Sequence, residues 1–263
     1  MKSIILSILV LLSSFSSLLY AALPAQYHQC NKTLTYDVYF HNHKIGMFER
    51  NLNWNEGNVD IYTYSKVDML VTKSILKQQS KVEWSPEENT FLTQSFDRMI
   101  SGVMAGNISA KFSDNGRRSS VSNDGKTLTF FDNDMPILDG DAVASQMRFH
   151  LINGDQAFDF MLQEADEVNH YYFAVKGQET INTNFGRVNT IRVEQIKKSD
   201  RKVVLWFAPS VDFQLVRATY KRKVLDLKAT LVRKKTQCPP TTPLTATTTT
   251  LTPSGITSQS LHQ

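Results

Sequence analysis

The chain contains two cysteines, and they stand at the two ends of the part that can fold. Cys30 comes just before the first strand-like run of residues, and Cys238 comes just after the last. Two cysteines in an exported chain usually bond to each other, so we predict a Cys30–Cys238 disulfide that joins the two ends of one domain. In the chain-entropy model, a disulfide that closes such a long loop stabilises the folded protein by roughly 5 kcal/mol. Two unrelated thiols, or pairing with another molecule, are the alternatives.

Residues 1–22 have the three parts of a secretory signal. Lys2 is positive, an apolar run begins at Ile4, and Ala21 and Ala22 offer a small-residue cleavage point. The alternative is an uncleaved anchor, but the run is broken by serines and is shorter than the roughly 20 apolar residues that span a bilayer. We predict cleavage after Ala21 or Ala22, a periplasmic location and no transmembrane segment in the mature chain.

The charge balance does not indicate nucleic-acid binding. The formal net charge is +4, and removal of Lys2 with the leader lowers it to +3. The basic residues cluster near the C-terminal end: Lys221, Arg222, Lys223, Arg233, Lys234 and Lys235. This cluster is typical of a solvated edge strand that lysines protect from aggregation, and attraction to an anionic membrane surface is the alternative.

The composition changes after Cys238. Residues 239–263 are rich in threonine and proline and carry almost no charge or aromatic side chain. Such a segment cannot bury enough apolar surface to offset the entropy of ordering it. We therefore predict three parts: a signal peptide over 1–22, one β-rich domain over 23–238 and a disordered tail over 239–263.

The body of the chain alternates apolar and polar residues with a period of two. Leu34, Tyr36, Val38 and Phe40 share one face, and similar runs recur up to residue 232. Residues 55–58, 114–116 and 123–125 combine Asn and Gly with an acidic residue in the way that favours tight turns between strands. Short strands without intervening helices predict a mainly β fold, a curved antiparallel sheet or a partly open barrel.

One segment has helical spacing instead. Val143, Met147 and Leu151 recur between residues 139 and 153, and Gly154 can end a helix there. Asp139 or Asp141 can cap its start. The pattern predicts one amphipathic helix that packs its apolar side against the concave face of the sheet.

The sequence carries no strong catalytic signature. His41 and His43 could share a metal ion if they lay in a strand, but the neighbouring Gly46 and Asn42 favour a hairpin tip. The other histidines are scattered, and no GxSxG elbow or glycine-rich phosphate loop is present. The acidic residues before the helix are better explained by helix capping and loop solubility than by calcium binding; they are Asp132, Asp134, Asp139 and Asp141. We expect no catalytic residue, metal or cofactor, although a site assembled in three dimensions would leave no local signature.

Four motifs resemble a family of uncharacterised bacterial exported proteins, the domain of unknown function 3108. They are residues 36–46, the helix with Arg148, residues 177–188 and residues 206–217. The resemblance covers roughly residues 33–232. It departs from the family pattern after Gln214, where Leu215-Val216 replaces the expected leucine–proline pair. It implies a periplasmic β-rich domain without an assigned reaction.

The leading functional hypothesis is a non-enzymatic periplasmic protein that binds a lipid or another hydrophobic envelope component. Trp206 and Phe207 supply aromatic surface, and Arg148 either pairs with a carboxylate or recognises an anionic head group. An envelope interaction or assembly protein that engages a protein partner, without a ligand cavity, is the second hypothesis. A hydrolase with a spatially assembled site is the third.

Overall fold

Two antiparallel runs of strands form the sheet and meet where the two ends of the chain pair. The structure is a computed structural model that describes residues 23–69, 72–102 and 105–239; the predicted leader and nearly all of the predicted tail lie outside these residues. The first run comprises β1 (Asn31–Phe40), β2 (His43–Asn55), β3 (Asn58–Met69), β4 (Thr72–Ser85), β5 (Thr90–Ser101), β6 (Gly106–Ser113), β7 (Arg118–Asn123) and β8 (Lys126–Phe131).

The second run begins with a short parallel crossover. It comprises β9 (Ile137–Leu138), α1 (Gly140–Asn153), β10 (Ala157–Gln163), β11 (Val168–Thr183), β12 (Gly186–Ile196), β13 (Lys202–Ala208), a 3-10 turn (Pro209–Val211), β14 (Gln214–Arg222) and β15 (Leu225–Gln237). β9 and β10 are parallel, and all other neighbouring strands are antiparallel. The strand order runs from β8 back to β1, then from β15 back to β9. The fifteen strands curl into a nearly closed barrel, which confirms the predicted fold class.

The pairing of β1 with β15 places the chain ends side by side. Asn31 pairs with Gln237, and the adjacent Cys30 and Cys238 form the predicted disulfide.

The same pairing corrects the interpretation of the basic cluster. β15 is not an edge strand, because β1 and β14 flank it on both sides.

The helix begins and ends close to where the sequence predicts. Asp139 caps α1 by accepting a hydrogen bond from the backbone N–H of Ala142, and Gly154 ends it in the left-handed conformation. Met147 and Leu151 are buried inside the curve of the sheet, where they join the main apolar core. Val143 is only partly buried, because it faces an unfilled space described below.

Polar turns sit at the predicted hairpin tips. His41 has a φ of 44° and lies with Asn42 in the turn between β1 and β2, so His41 and His43 mark a hairpin tip.

Within the described residues, no helix has the length and apolarity needed to cross a bilayer.

Candidate ligand-binding cavity

An apolar cavity of about 330 Å³ lies inside the barrel between α1 and the inner face of strands β10 to β14. Each strand contributes residues from the face that points at the helix. The lining residues are Val143, Phe160, Leu162, Glu164, Tyr171, Phe173, Gln195, Arg201, Val203 and Tyr220. A mostly apolar lining with a few polar groups is the usual composition of a small-molecule site, and the volume falls at the lower end of the ~300–1,000 Å³ range.

Gln195 brings an unusual polar group into this cavity. Its side chain lies on β12 opposite Phe173 of β11, and the residue is 8% exposed. Neither the amide oxygen nor the amide nitrogen has a hydrogen-bond partner among the described residues. Burying an amide without a hydrogen-bond partner costs about 1–3 kcal/mol. This amide can therefore form hydrogen bonds with a group from outside the protein.

The other buried glutamines in the described part of the chain are all satisfied. Gln78 and Gln163 bond to carboxylates, hydroxyls or carbonyls, Gln146 accepts from the Phe91 N–H, and Gln214 donates to the Asp212 carbonyl. An unsatisfied amide is therefore specific to the cavity.

One side of the cavity is polar and tightly hydrogen-bonded. The Tyr171 hydroxyl donates to Glu164 Oε1 at 2.5 Å. Burial and the neighbouring Glu164 carboxylate raise the pKa of Tyr171 to about 12, so the hydroxyl remains a proton donor. Arg201 Nη1 lies 3.4 Å from the same hydroxyl oxygen, while its Nε and Nη2 donate to Asp200. These groups satisfy one another.

A second, smaller cavity of about 180 Å³ shares Val143 as a wall. Phe207 and Leu205 of β13 contribute apolar surface, and Arg50 and Arg148 lie at its border. Arg50 is committed to Asp141, since its Nη2 lies 2.6 Å from Asp141 Oδ1. Val143 therefore stands between two spaces in the barrel interior.

The structure separates the three residues that the sequence singled out for ligand binding. Arg148 and Phe207 border the smaller cavity, whereas Trp206 contributes to neither. Trp206 instead donates its indole N–H to Glu179 at 2.5 Å. Arg148 binds the Asp212 carboxylate, as expected for structural pairing, and its guanidinium lies 4.0 Å from the Tyr27 ring centre. Ligand binding by these residues stays a prediction.

Two carboxylates are buried at the start of α1. Asp139 and Asp141 both accept hydrogen bonds from Ser80 Oγ, at 2.5 Å and 3.0 Å, and from Gln78 Nε2. Burial and the nearby Asp141 charge raise the pKa of Asp139 to about 6. The sequence identified Asp139 as a cap but did not indicate its burial.

A polar row across the sheet supports this pair. Arg50, Thr63, Gln78 and Arg98 are successive cross-strand partners on β2 to β5, and Arg98 Nε donates to Gln78 Oε1 at 2.6 Å. Because this row pairs with the Asp139 and Asp141 carboxylates, the N-terminus of α1 can be buried without an unpaired charge. These contacts fix the position of the helix and of Val143.

A larger concave region, about 770 Å³, is lined by residues of β2 to β7. Its lining combines Thr63, Gln78 and Arg98 of the polar row with side chains from the outer face of the same strands. They include Tyr62 and Met99, which are 42% and 55% exposed, together with polar groups such as Gln79 and Asp97. This groove is more open and more polar than the cavity beside Val143, and we therefore place the candidate site in that cavity.

No group of three or more His, Cys, Asp or Glu side chains could hold a metal within residues 23–69, 72–102 and 105–239. His170, which the sequence left without a local activating group, has Asp159 Oδ2 at 2.6 Å and the Tyr172 hydroxyl at 2.9 Å. These residues lie outside the cavity lining.

The fold has a solved counterpart. A crystal structure of a "Beta-barrel-like Protein of Domain of Unknown Function DUF1849" from Brucella abortus matches with a TM-score of 0.53 and 12% sequence identity. The match covers 80% of this chain and 98% of that chain, and at this identity it establishes the fold alone. No curated protein matches the chain. A family model described as "Protein of unknown function (DUF3108)" matches residues 35–232, and the chain therefore belongs to the DUF3108 family.

Proposed function

We propose that this protein is a non-enzymatic periplasmic protein that binds a small hydrophobic ligand between α1 and strands β10 to β14. The observation that carries the proposal is the mostly apolar cavity of about 330 Å³ beside Val143. A folded core normally packs without voids larger than a water molecule. An apolar space of this size is therefore best explained by a ligand that fills it.

Native mass spectrometry of the mature protein, purified gently from the periplasm, tests the proposal. We expect a reproducible additional mass that is lost when the protein is denatured. Val143→Phe should reduce the amount of this adduct, because the phenylalanine ring is larger than the valine side chain and occupies the cavity. Val224→Phe is the matched control, since Val224 is 79% exposed and the same change there leaves the cavity intact.

A bare mass that persists after incubation with envelope lipids would contradict ligand binding and favour an envelope interaction protein. Thermal denaturation of Val143→Phe is needed beside the mass spectrum, because overpacking a core can cost about 1–3 kcal/mol. An adduct that Val143→Phe and Val224→Phe retain equally would place the ligand elsewhere.

The leader and the disulfide support the periplasmic location. Residues 1–22 have the composition of a cleavable signal, and structural disulfides persist in oxidising compartments. Fractionation followed by N-terminal sequencing should find the mature protein in the periplasm, starting at Ala22 or Leu23. Recovery of an uncleaved chain from the cytoplasm would contradict this part of the proposal.

A further inference from the structure

We propose that the cavity selects ligands whose apolar chain carries a hydroxyl or a secondary amide, which would bind the side chain of Gln195. This inference rests on the proposed ligand-binding function and narrows its ligand class. It is carried by the amide of Gln195, which lines the cavity, is 8% exposed and has no partner for either polar atom among the described residues.

The chemistry of the amide determines what it can recognise. Its oxygen needs a donor, and its NH₂ group needs an acceptor. A saturated hydrocarbon chain offers neither, and an ester offers only acceptors. A hydroxyl or a secondary amide can both donate and accept, so either group can satisfy both ends of Gln195.

The neighbouring residues cannot supply this pairing. Phe173 is the cross-strand partner of Gln195, and Val143, Leu162 and Val203 in the same lining are apolar. Tyr171, Glu164 and Arg201 on the same lining are engaged elsewhere. Tyr171 donates to Glu164, and Arg201 donates to Asp200. Gln195 is therefore the buried polar side chain of the lining that a ligand meets without a partner.

The volume sets the approximate size of the ligand. At ~30 Å³ per water molecule, a space of about 330 Å³ equals the volume of about 11 waters. A medium-length acyl chain has a comparable number of heavy atoms. This points to a medium-chain hydroxyacyl or N-acyl group, with its polar atoms part of the way along the chain.

Isothermal titration calorimetry with three matched probes tests the inference: decanoic acid, 3-hydroxydecanoic acid and N-octanoylglycine. All three carry a carboxylate and a chain of similar length, but only the last two have a group that both donates and accepts. We expect these two to bind wild-type protein about tenfold more tightly than decanoic acid, which is the effect of roughly 1.4 kcal/mol from satisfying the amide.

Gln195→Leu keeps nearly the same side-chain volume and removes the amide. We expect it to abolish the preference, to retain or tighten binding of decanoic acid, and to leave the melting temperature unchanged or higher because an unpaired buried polar group is lost. Gln195→Met repeats the test should the leucine variant fold poorly. Gln94→Leu, on an exposed position of β5, should keep the wild-type preference.

The outcomes separate the two proposals. Failure of all three probes to bind would count against the ligand-binding function and, with it, this inference. Equal binding of all three probes, unaffected by Gln195→Leu, would retain the ligand-binding function and overturn the inference. No preference together with a lower melting temperature for Gln195→Leu would show that internal water satisfies the amide, and it would also overturn the inference.

Discussion

The guanidinium of Arg148 in α1 lies 2.5 Å from the carboxylate of Asp212, and its Nε donates to the Asp212 backbone carbonyl at 2.8 Å. Asp212 follows the 3-10 turn between β13 and β14, so this pair joins the helix to the C-terminal strands. Lys32 Nζ lies 3.2 Å from the same carboxylate, which also ties in β1. The charge of Arg148 is thus used to hold three parts of the fold together.

Replacing Arg148 with methionine should therefore destabilise the protein strongly. The change keeps an apolar stem but leaves Asp212 with less cationic compensation in a mostly buried position. Removing one partner of a buried ion pair typically costs about 3–5 kcal/mol. Urea denaturation of Arg148→Met should show a loss of this order in the free energy of unfolding.

Lys73→Met provides the comparison for this prediction. Lys73 Nζ lies 3.8 Å from Asp68 on the surface, with the two side chains 71% and 54% exposed. Exposed pairs contribute about 0–1 kcal/mol, so Lys73→Met should have little effect. Similar losses for the two variants would show that Asp212 is not dependent on Arg148.

Asp139 should make stability pH-dependent in a defined range. Its pKa rises from 3.8 to about 6 in the folded protein, through burial and the Asp141 charge. Between these values the folded state holds a proton that the unfolded state has released, so the free energy of unfolding falls as pH rises from about 4 to about 6. The contribution of this group should change by about 1–3 kcal/mol, at ~1.4 kcal/mol per pKa unit.

Asp139→Asn isolates this contribution, because asparagine can still cap the helix but does not titrate. The measurement is the difference in free energy of unfolding between variant and wild type at several pH values from 4 to 7. Relative to the wild type, the variant should gain stability as pH rises through this window. A difference that stays constant would show that Asp139 titrates alike in the folded and unfolded states.

The disulfide should contribute more to the free energy of unfolding than any single surface contact does. A Cys30→Ser and Cys238→Ser double variant releases a constraint that links residues 208 positions apart, and loss of a native disulfide typically costs about 2–5 kcal/mol. Thermal or urea denaturation should show this loss. Reductant should lower the stability of the wild type towards that of the double variant and leave the variant unaffected. An effect of reductant on the double variant would contradict this assignment.

The strands and the helix could be predicted because their signals are local. Leu34 and Tyr36 on β1 follow a period of two, and Asp139 and Gly154 cap α1. The position of β15 in the sheet was not predicted, because the predicted disulfide brings the two chain ends together but does not by itself show that β1 and β15 pair as neighbouring strands. The lysines of β15 were therefore interpreted as those of an edge strand, although β15 is a central strand.

The site was missed for a different physical reason. On β12, Val188 and Thr190 are buried, then Val193 and Gln195, so the period-two phase changes within the strand. Counting alternate residues from Val188 places Gln195 on the outer face, where a glutamine is unremarkable. The register shift between β11 and β12 that accompanies this change has no clear sequence signal beyond Gly177.

Phe207 and Trp206 are adjacent in sequence but should affect ligand binding differently. Phe207 is buried and borders the cavity that shares Val143 with the ligand site. Phe207→Ala should enlarge this interior space, shift the preferred acyl chain to greater length and cost about 3–5 kcal/mol. Trp206→Phe removes the hydrogen bond to Glu179, should cost about 1 kcal/mol and should leave chain-length preference unchanged.

Calorimetry with fatty acids of increasing length, beside denaturation of each variant, measures both effects. Phe207→Leu repeats the test with a smaller loss of volume, so that the comparison survives if the alanine variant unfolds. A change in chain-length preference for Trp206→Phe but not for the Phe207 variants would place the ligand on the outer face of β13. The same preference in all variants and the wild type would show that the smaller cavity is isolated from the ligand site, because its enlargement would then add no space that an acyl chain can reach.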